Sequence, residues 1–211
     1  VDVEGLGTFE AYPNRDCRGY VEKFGLDPGV SIYRGLLRYM GYCNTMINLK
    51  KLGLLETGEP ESFAGKTNAG LLAELIGADT TVDLKQQVAD CLGLKHNDDV
   101  MERLDWLGLF REDVIAIERG IKSDVLVDLM VKKLSYGPGE KDWIIVHNEV
   151  IAEFPDRREK RCATMAVEGI PHGDTAMSRA VALPAAIAGR LFLEGRVSAR
   201  GVIMPTEQEI Y

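Results

Sequence analysis

The apolar positions change period along the chain, and the changes mark its parts. Residues 8–12 mix β-branched and aromatic side chains and stop at Pro13-Asn14, which predicts an early strand followed by a loop. Leu36, Leu37, Met40, Cys43 and Ile47 then recur at helical spacing in a stretch without proline. That spacing predicts a helix from near Ser31 or Tyr33 to Gly53, with Arg34 and Arg38 sharing one face. From residue 57 to 135 the pattern becomes a series of short amphipathic stretches separated by Gly, Asn and Asp, among them Leu71-Leu72-Leu75-Ile76, Val100-Leu104-Leu107 and Ile121-Val125-Leu129. This segment reads as an all-helical block.

After Tyr136-Gly137-Pro138-Gly139 the period shifts again. Residues 142–150 suit a largely buried strand, Pro155-Asp156 a turn and residues 159–167 a returning strand, which together predict a hairpin. A small-residue helix follows over residues 180–194, opened by Asp174-Thr175 and containing Pro184 early in its course or at a kink. Strands and helices thus flank a helical block, and neither flank has enough strands to cover a face alone. The expected class is α/β (α+β): a mixed sheet with packed helices, interrupted by an all-α inserted domain. Residues 1–56 and 136–211 would form one discontinuous α/β domain around the insertion at 57–135.

Composition adds limits. The 211 residues are 45% hydrophobic and 27% charged, enough to bury a core and too apolar for a disordered chain. No uninterrupted apolar run approaches the roughly 18 residues of a membrane span, and Val1-Asp2-Val3-Glu4 lacks the features of a signal peptide. The expectation is a cytoplasmic protein with no membrane partner. The formal charge of -8 argues against nucleic acid, which needs a basic surface. The acidity is concentrated in the middle: residues 52–135 carry 9 Lys/Arg against 16 Asp/Glu, whereas residues 1–51 carry 7 against 6. An anionic ligand is therefore expected near the first part, with Arg15, Arg18, Arg34 and Arg38. Arg103, within the acidic block, reads as a solvated surface charge.

Cys17, Cys43, Cys91 and Cys162 are far apart, with no C-x-x-C pair, so they read as reduced thiols and not as a disulfide framework or zinc site. Gly5-Leu6-Gly7-Thr8-Phe9-Glu10 starts like a dinucleotide fingerprint but has Glu10 at the third glycine position, and Pro13 prevents the helix that must follow. His147-Asn148-Glu149 matches the H-x-E of zinc deaminases without the P-C-x-x-C that completes it, so His147 reads as structural. His172 and Gly173 lie in a glycine-containing loop that allows close backbone approach to a ligand. His96, beside Asn97-Asp98-Asp99, reads as a helix-capping surface residue. No serine, cysteine or threonine has a recognisable base partner, so no catalytic residue is assigned. The guanidinium groups are the clearest chemistry, because their forked donors match carboxylates two bonds at a time.

Tyr12-Pro13-Asn14-Arg15-Asp16 followed by Tyr33-Arg34-Gly35-Leu36-Leu37-Arg38-Tyr39 resembles the Y-P-N-R-D and R-G-T-L-R-Y segments of the saccharopine dehydrogenase (L-glutamate-forming, saccharopine reductase) family. Asp105-Trp106-Leu107-Gly108-Leu109-Phe110, Ala176-Met177 with Leu183-Pro184-Ala185-Ala186, and Gly201-Val202-Ile203-Met204-Pro205 before Glu209-Ile210 are similar to later segments of the same family. The resemblance implies an NADP-dependent oxidoreductase whose Rossmann domain, absent from this chain, holds the cofactor. The present chain would supply the substrate-binding and dimerisation part, including an inserted helical domain, and form a homodimer. The implied reaction interconverts saccharopine, a small-molecule amino-acid substrate with three carboxylates, with glutamate and aminoadipate semialdehyde. The expected substrate-binding residues are Asn14, Arg15, Asp16, Arg34, Gly35, Arg38, His172 and Gly173, and no metal is expected. Cys17 and Leu36 replace the family's usual serine and threonine, and His172-Gly173-Asp174-Thr175 its glycine-tyrosine-serine loop. Two alternatives stay open: a related dehydrogenase acting on another carboxylated amine such as carboxynorspermidine, and a non-catalytic amino-acid-binding or oligomerisation module.

Overall fold

The computed structural model of the chain describes residues 1–79, 82–202, 204–205 and 208–210. Ile203, within one of the quoted family segments, lies outside them. Two short strands, β1 (Asp2–Val3) and β2 (Gly7–Thr8), form a small hairpin. Next come β3 (Glu10–Pro13), α1 (Arg18–Lys23), β4 (Gly35–Arg38) and α2 (Tyr42–Lys51). The helical block holds β5 (Glu61–Ser62), α3 (Asn68–Ile76), α4 (Leu84–Leu92), α5 (Asp99–Leu107), β6 (Arg119–Gly120) and α6 (Lys122–Leu134). A long hairpin of β7 (Trp143–Glu153) and β8 (Arg158–Glu168), helix α7 (Ala176–Leu193) and a 3-10 turn at Gln208–Ile210 complete the chain. The class is mixed α/β, as expected. Among the described residues the strands form antiparallel pairs, β1-β2, β3-β4, β5-β6 and β7-β8, and not one mixed sheet.

The chain falls into two compact units, Val1–Ser135 and Tyr136–Tyr211. The division coincides with the expected end of the helical block. Its start does not mark a second division, because Leu49, Leu52 and Leu54 are buried in the same core as Leu72, Val88, Met101, Leu104 and Leu126. A smaller cluster of Phe63, Leu71, Ile115 and Val125 lies beside β5 and β6. The helices of the block start and stop where their sequence signals fall. Thr67, Asp83 and Asp98 accept backbone N–H groups at the starts of α3, α4 and α5, and Gly77, Gly93 and Gly108 end them in the left-handed conformation. Asp98, not His96, is the cap of α5; His96 faces the Asp83 carboxylate at 3.8 Å.

The continuous helix expected over residues 33–53 is instead a strand, a turn and a helix. Residues 35–38 pair with 10–13 in the register Glu10↔Arg38, Ala11↔Leu37, Tyr12↔Leu36 and Pro13↔Gly35. Gly41, at a φ of 90°, then separates β4 from α2. Pairing with β3 satisfies backbone groups that the local pattern assigned to a helix, so a long-range interaction overrides the periodicity. Glu10 fixes the junction: its carboxylate accepts the N–H of Gly41 at 2.9 Å and that of Cys43 at 2.6 Å. These bonds, from Cys43 and then Gly41, hold the Glu10 carboxyl below its ordinary value of 4.5.

In the second unit β7 and β8 pair over eleven residues each, in a single register from Trp143↔Glu168 to Glu153↔Arg158. Phe154 N–H bonds Arg157 carbonyl at 2.8 Å and closes the turn. The expected burial is not found: Val146, Val150, Ile151 and Met165 are exposed, because a two-stranded hairpin has little to cover its faces. Helix α7 starts earlier than expected, since Thr175 accepts Ser178 N–H and the buried Asp142 accepts Ala176 N–H at 2.6 Å and Met177 N–H at 2.8 Å. Burial pushes the Asp142 carboxyl up, but the Met177 and Ala176 N–H groups outweigh it and the net shift is downward. By length and composition α7 is also apolar enough to cross a membrane, although Arg179 and Arg190 interrupt it. The sequence reading finds no such span because it requires an uninterrupted apolar run.

Leu104 is fully buried at the centre of the helical core. Leu104→Ala is expected to destabilise the first unit by about 2–5 kcal/mol, measured by chemical denaturation. Glu10 gives a pH-dependent prediction. Its folded pKa is depressed, so its stabilisation is complete above the unfolded value and is lost as pH falls through the folded one. Glu10→Gln should lower the melting temperature at neutral pH and reduce its fall on acidification. Identical melting curves across pH for both proteins would show that the clip is not energetically significant.

Candidate functional site

The ends of β3 and β4 organise the expected site. Asn14 N–H bonds the Arg34 carbonyl at 3.1 Å, carrying the ladder one step past Pro13↔Gly35. Arg15 and Arg34 therefore leave the same end of the strand pair, and both are exposed. Gly35 is required there, since a Cβ would lie 2.8 Å from the Tyr12 carbonyl oxygen and 2.7 Å from the Tyr33 hydroxyl. Asp16 closes the loop by accepting Arg18 N–H and its guanidinium, with Nη2 to Oδ2 at 2.5 Å. The Arg18 side chain and backbone bonds lower the Asp16 carboxyl from 3.8 to about 2. Asp16 is thus committed to shaping the loop after β3.

The two arginines of the second motif have different surroundings. Arg34 Nη1 donates to Tyr20 Oη at 3.3 Å. Arg38 sits further along the pair, half-buried, with its guanidinium carbon 5.7 Å from the Tyr12 ring centre and 5.4 Å from that of Tyr42. These two rings stack on each other at 6.0 Å. The expected shared helix face is replaced by strand alternation, which still puts residues 34 and 38 on one side of the backbone. A guanidinium held against two aromatic faces keeps its fork oriented for a carboxylate. Burial raises the Tyr12 hydroxyl pKa against the opposing charge of Arg38, so Tyr12 offers a neutral O–H beside that cation.

Several residues of this region are not legible from sequence motifs. Tyr42 lies four residues after Arg38, but its stacking on Tyr12 depends on the β3-β4 register. Arg103 is the clearest revision of the sequence reading. Its guanidinium lies against Gly41, where a Cβ would be 2.6 Å from Nη2, and its charge helps to lower the Glu10 carboxyl. It also pairs with Asp99 at 3.5 Å. Arg103 is therefore part of the packing at the start of α2 and not simply a solvated charge. No local signal in the sequence links residue 103 to residues 10 and 41.

His172 and Gly173 belong to the second unit. They line a cavity of about 420 Å³ with Tyr136, Pro138, Lys141 and Asp142. His172 adopts a left-handed φ of 59°, and the loop is held by Gly173 N–H on Ile170 carbonyl and Ile170 N–H on Asp174 carbonyl, both at 2.9 Å. Gly5 lies in the turn of the β1-β2 hairpin and Gly7 opens β2, and strand β3 follows. A pyrophosphate site of the dinucleotide type requires a strand leading directly into a helix N-terminus, so this geometry does not fit that cofactor.

The whole chain matches a family profile. A family described as "Saccharopine dehydrogenase C-terminal domain" covers residues 1–211. Among curated relatives, the mitochondrial alpha-aminoadipic semialdehyde synthase of Bos taurus is 33% identical over 216 residues, covering 97% of this chain and 23% of the relative. The saccharopine dehydrogenase [NADP(+), L-glutamate-forming] of Schizosaccharomyces pombe is 28% identical, covering 96% of this chain and 47% of its own length. A solved structure of apo saccharopine dehydrogenase (L-Glu forming) from Saccharomyces cerevisiae superposes with a TM-score of 0.83 at 26% identity, over 99% of this chain and 48% of that one. The chain thus spans about a quarter to a half of the length of these relatives. With the family profile extending across all its residues and the same fold in a solved relative, this chain belongs to the saccharopine dehydrogenase C-terminal domain family.

Proposed function

We propose that this chain is the substrate-binding and dimerisation part of an NADP-dependent oxidoreductase that interconverts saccharopine with glutamate and aminoadipate semialdehyde. The observation that carries the reading is the β3-β4 pair, which directs Arg15 and Arg34 from one end and holds Arg38 on Tyr12 and Tyr42. A ligand with three carboxylates bound by an acidic protein needs local guanidinium partners, and this pair supplies them. Asn14, Asp16 and Gly35 shape that site; His172 and Gly173 are substrate-binding candidates within the second unit, in the loop at residues 169–175. The hydride chemistry belongs to NADP, held by a domain outside this chain, and residues 1–211 bind and orient the substrate.

The second part of the proposal is a homodimer. Val146, Val150 and Met165 on one face of the β7-β8 hairpin, with Val181, Leu183 and Ile187 on α7, are exposed apolar side chains that a second copy would cover. The same apolar surface supports a protein partner for α7 in place of lipid. For the compartment we keep the cytoplasm, which is the sequence expectation, while the bovine relative is named mitochondrial.

Arg15→Ala in the full-length enzyme should lower kcat/KM for saccharopine by about ten- to a hundred-fold, the equivalent of one charge-assisted hydrogen bond of roughly 1.5–3 kcal/mol. Thermal stability should not change, because Arg15 is an exposed loop residue. Lys95→Ala, an exposed change in the helical block, should leave kcat/KM as it is. Equal activity of the two variants would reject the substrate role of Arg15. For assembly, light scattering at tens of micromolar should give twice the chain mass, and Val146→Glu with Val150→Glu should shift it to monomer.

A further inference from the structure

The cross-strand register of β7 and β8 gathers three side chains that are not associated in the sequence. His147 faces Thr164 and Glu149 faces Cys162, with the Asn148↔Ala163 pair between them, so by strand alternation all four project from the same side of the hairpin. One donor atom from each of His147, Glu149 and Cys162 lies within 4.8 Å of the other two. Glu149 Oε1 is 3.3 Å from His147 Nε2 and 3.9 Å from Cys162 Sγ. Tetrahedral zinc with bonds of about 2.0–2.3 Å places its N, O and S donors about 3.3–3.6 Å apart, so the two separations from Glu149 already lie within a few tenths of an ångström of that geometry, and side-chain rotation has to bring His147 and Cys162 together from within 4.8 Å.

The surroundings of the histidine favour the same reading. Its side chain is only 7% exposed, although it stands on a two-stranded hairpin. Its Nδ1 is 2.7 Å from Thr164 Oγ1. With Nδ1–H donating to that hydroxyl, the Nε2 lone pair points toward Glu149 and Cys162, which is the outer-shell arrangement that orients metal-binding imidazoles. We infer that His147, Glu149 and Cys162 form a three-donor site for a zinc ion, with water in the fourth position. The mixture of nitrogen, oxygen and sulfur donors suits zinc and disfavours magnesium or calcium, which take oxygen. A cation already occupies part of this space: Lys160 Nζ pairs with Glu149 Oε1 at 2.5 Å. Lys160 is more than half exposed, and its flexible stem lets the ammonium move to water when the metal binds.

The test is a titration of the reduced full chain with Co²⁺, a spectroscopic substitute for zinc, followed by displacement with Zn²⁺. The expected result is one ion per chain, with thiolate-to-cobalt charge-transfer absorption that zinc removes, and a zinc-dependent rise in melting temperature. Cys162→Ser, nearly isosteric at an exposed position, should abolish the charge-transfer absorption while Cys17, Cys43 and Cys91 remain. His147→Gln and Glu149→Gln should weaken binding by about tenfold or more, judged from the loss of a directly bound ligand. Lys160→Gln removes the competing cation and should tighten binding several-fold, an effect opposite in sign to any general damage to the hairpin. No charge-transfer absorption in the unmodified chain, absorption retained in Cys162→Ser, or weaker binding in Lys160→Gln would overturn the assignment.

Discussion

The Glu10 carboxylate joins the two parts of the first unit that otherwise have different reasons to exist. Strand β3 carries it, helix α2 receives it through the N–H groups of Gly41 and Cys43, and α2 is fixed by burial of Leu49 in the helical core. The position of the Tyr12 and Arg38 surface relative to that core is thus set by this charged hydrogen-bonded contact together with the stacking of Tyr42, the first residue of α2, on Tyr12. An anion suits the place, since the free N–H groups and the dipole of a helix N-terminus both favour negative charge. Arg103 adds a cation from α5, and the absence of a side chain at Gly41 lets it approach. Residues 10, 41 and 103 make one corner.

Asp142 performs the corresponding task in the second unit. It lies just before β7, is buried, and accepts the first two N–H groups of α7. In both units a carboxylate at or beside a strand helps to set where a helix begins; α2 has no side-chain cap of its own, whereas at α7 Asp142 adds to the local Thr175 cap. The two units differ in what they bury. The first closes around a leucine-rich core, whereas the hairpin and α7 keep a large share of their apolar side chains exposed. A surface of that kind is stable in water when another surface covers it.

Positive charge is also gathered in one place. Guanidinium groups collect around β3 and β4, in the least acidic part of a chain with net charge -8. The glycine turn between β1 and β2 leads into a strand and not into a helix N-terminus, and the N-terminus of α2 is occupied by the protein's own carboxylate.

The sequence by itself determined the elements whose causes are local. The capped helices α3, α4 and α5 each carry a Thr or Asp at one end and a Gly at the other, and the turn at Pro155-Asp156 between two strand-forming runs specified the β7-β8 hairpin. The five ordered segments from Tyr12-Pro13-Asn14-Arg15-Asp16 to Gly201-Val202-Ile203-Met204-Pro205 were enough for the family, because several motifs in order are far more specific than any single one. Only the tertiary structure decided that residues 35–38 are a strand, that Arg103 rests on Gly41, that Tyr12 and Tyr42 flank Arg38, and that Cys162 faces Glu149 beside His147. The physical reason is common to all of them. Helical periodicity and capping act over three or four residues, whereas a strand is defined by the backbone it pairs with, and a change of one residue in that pairing would send Cys162 to the opposite face from Glu149.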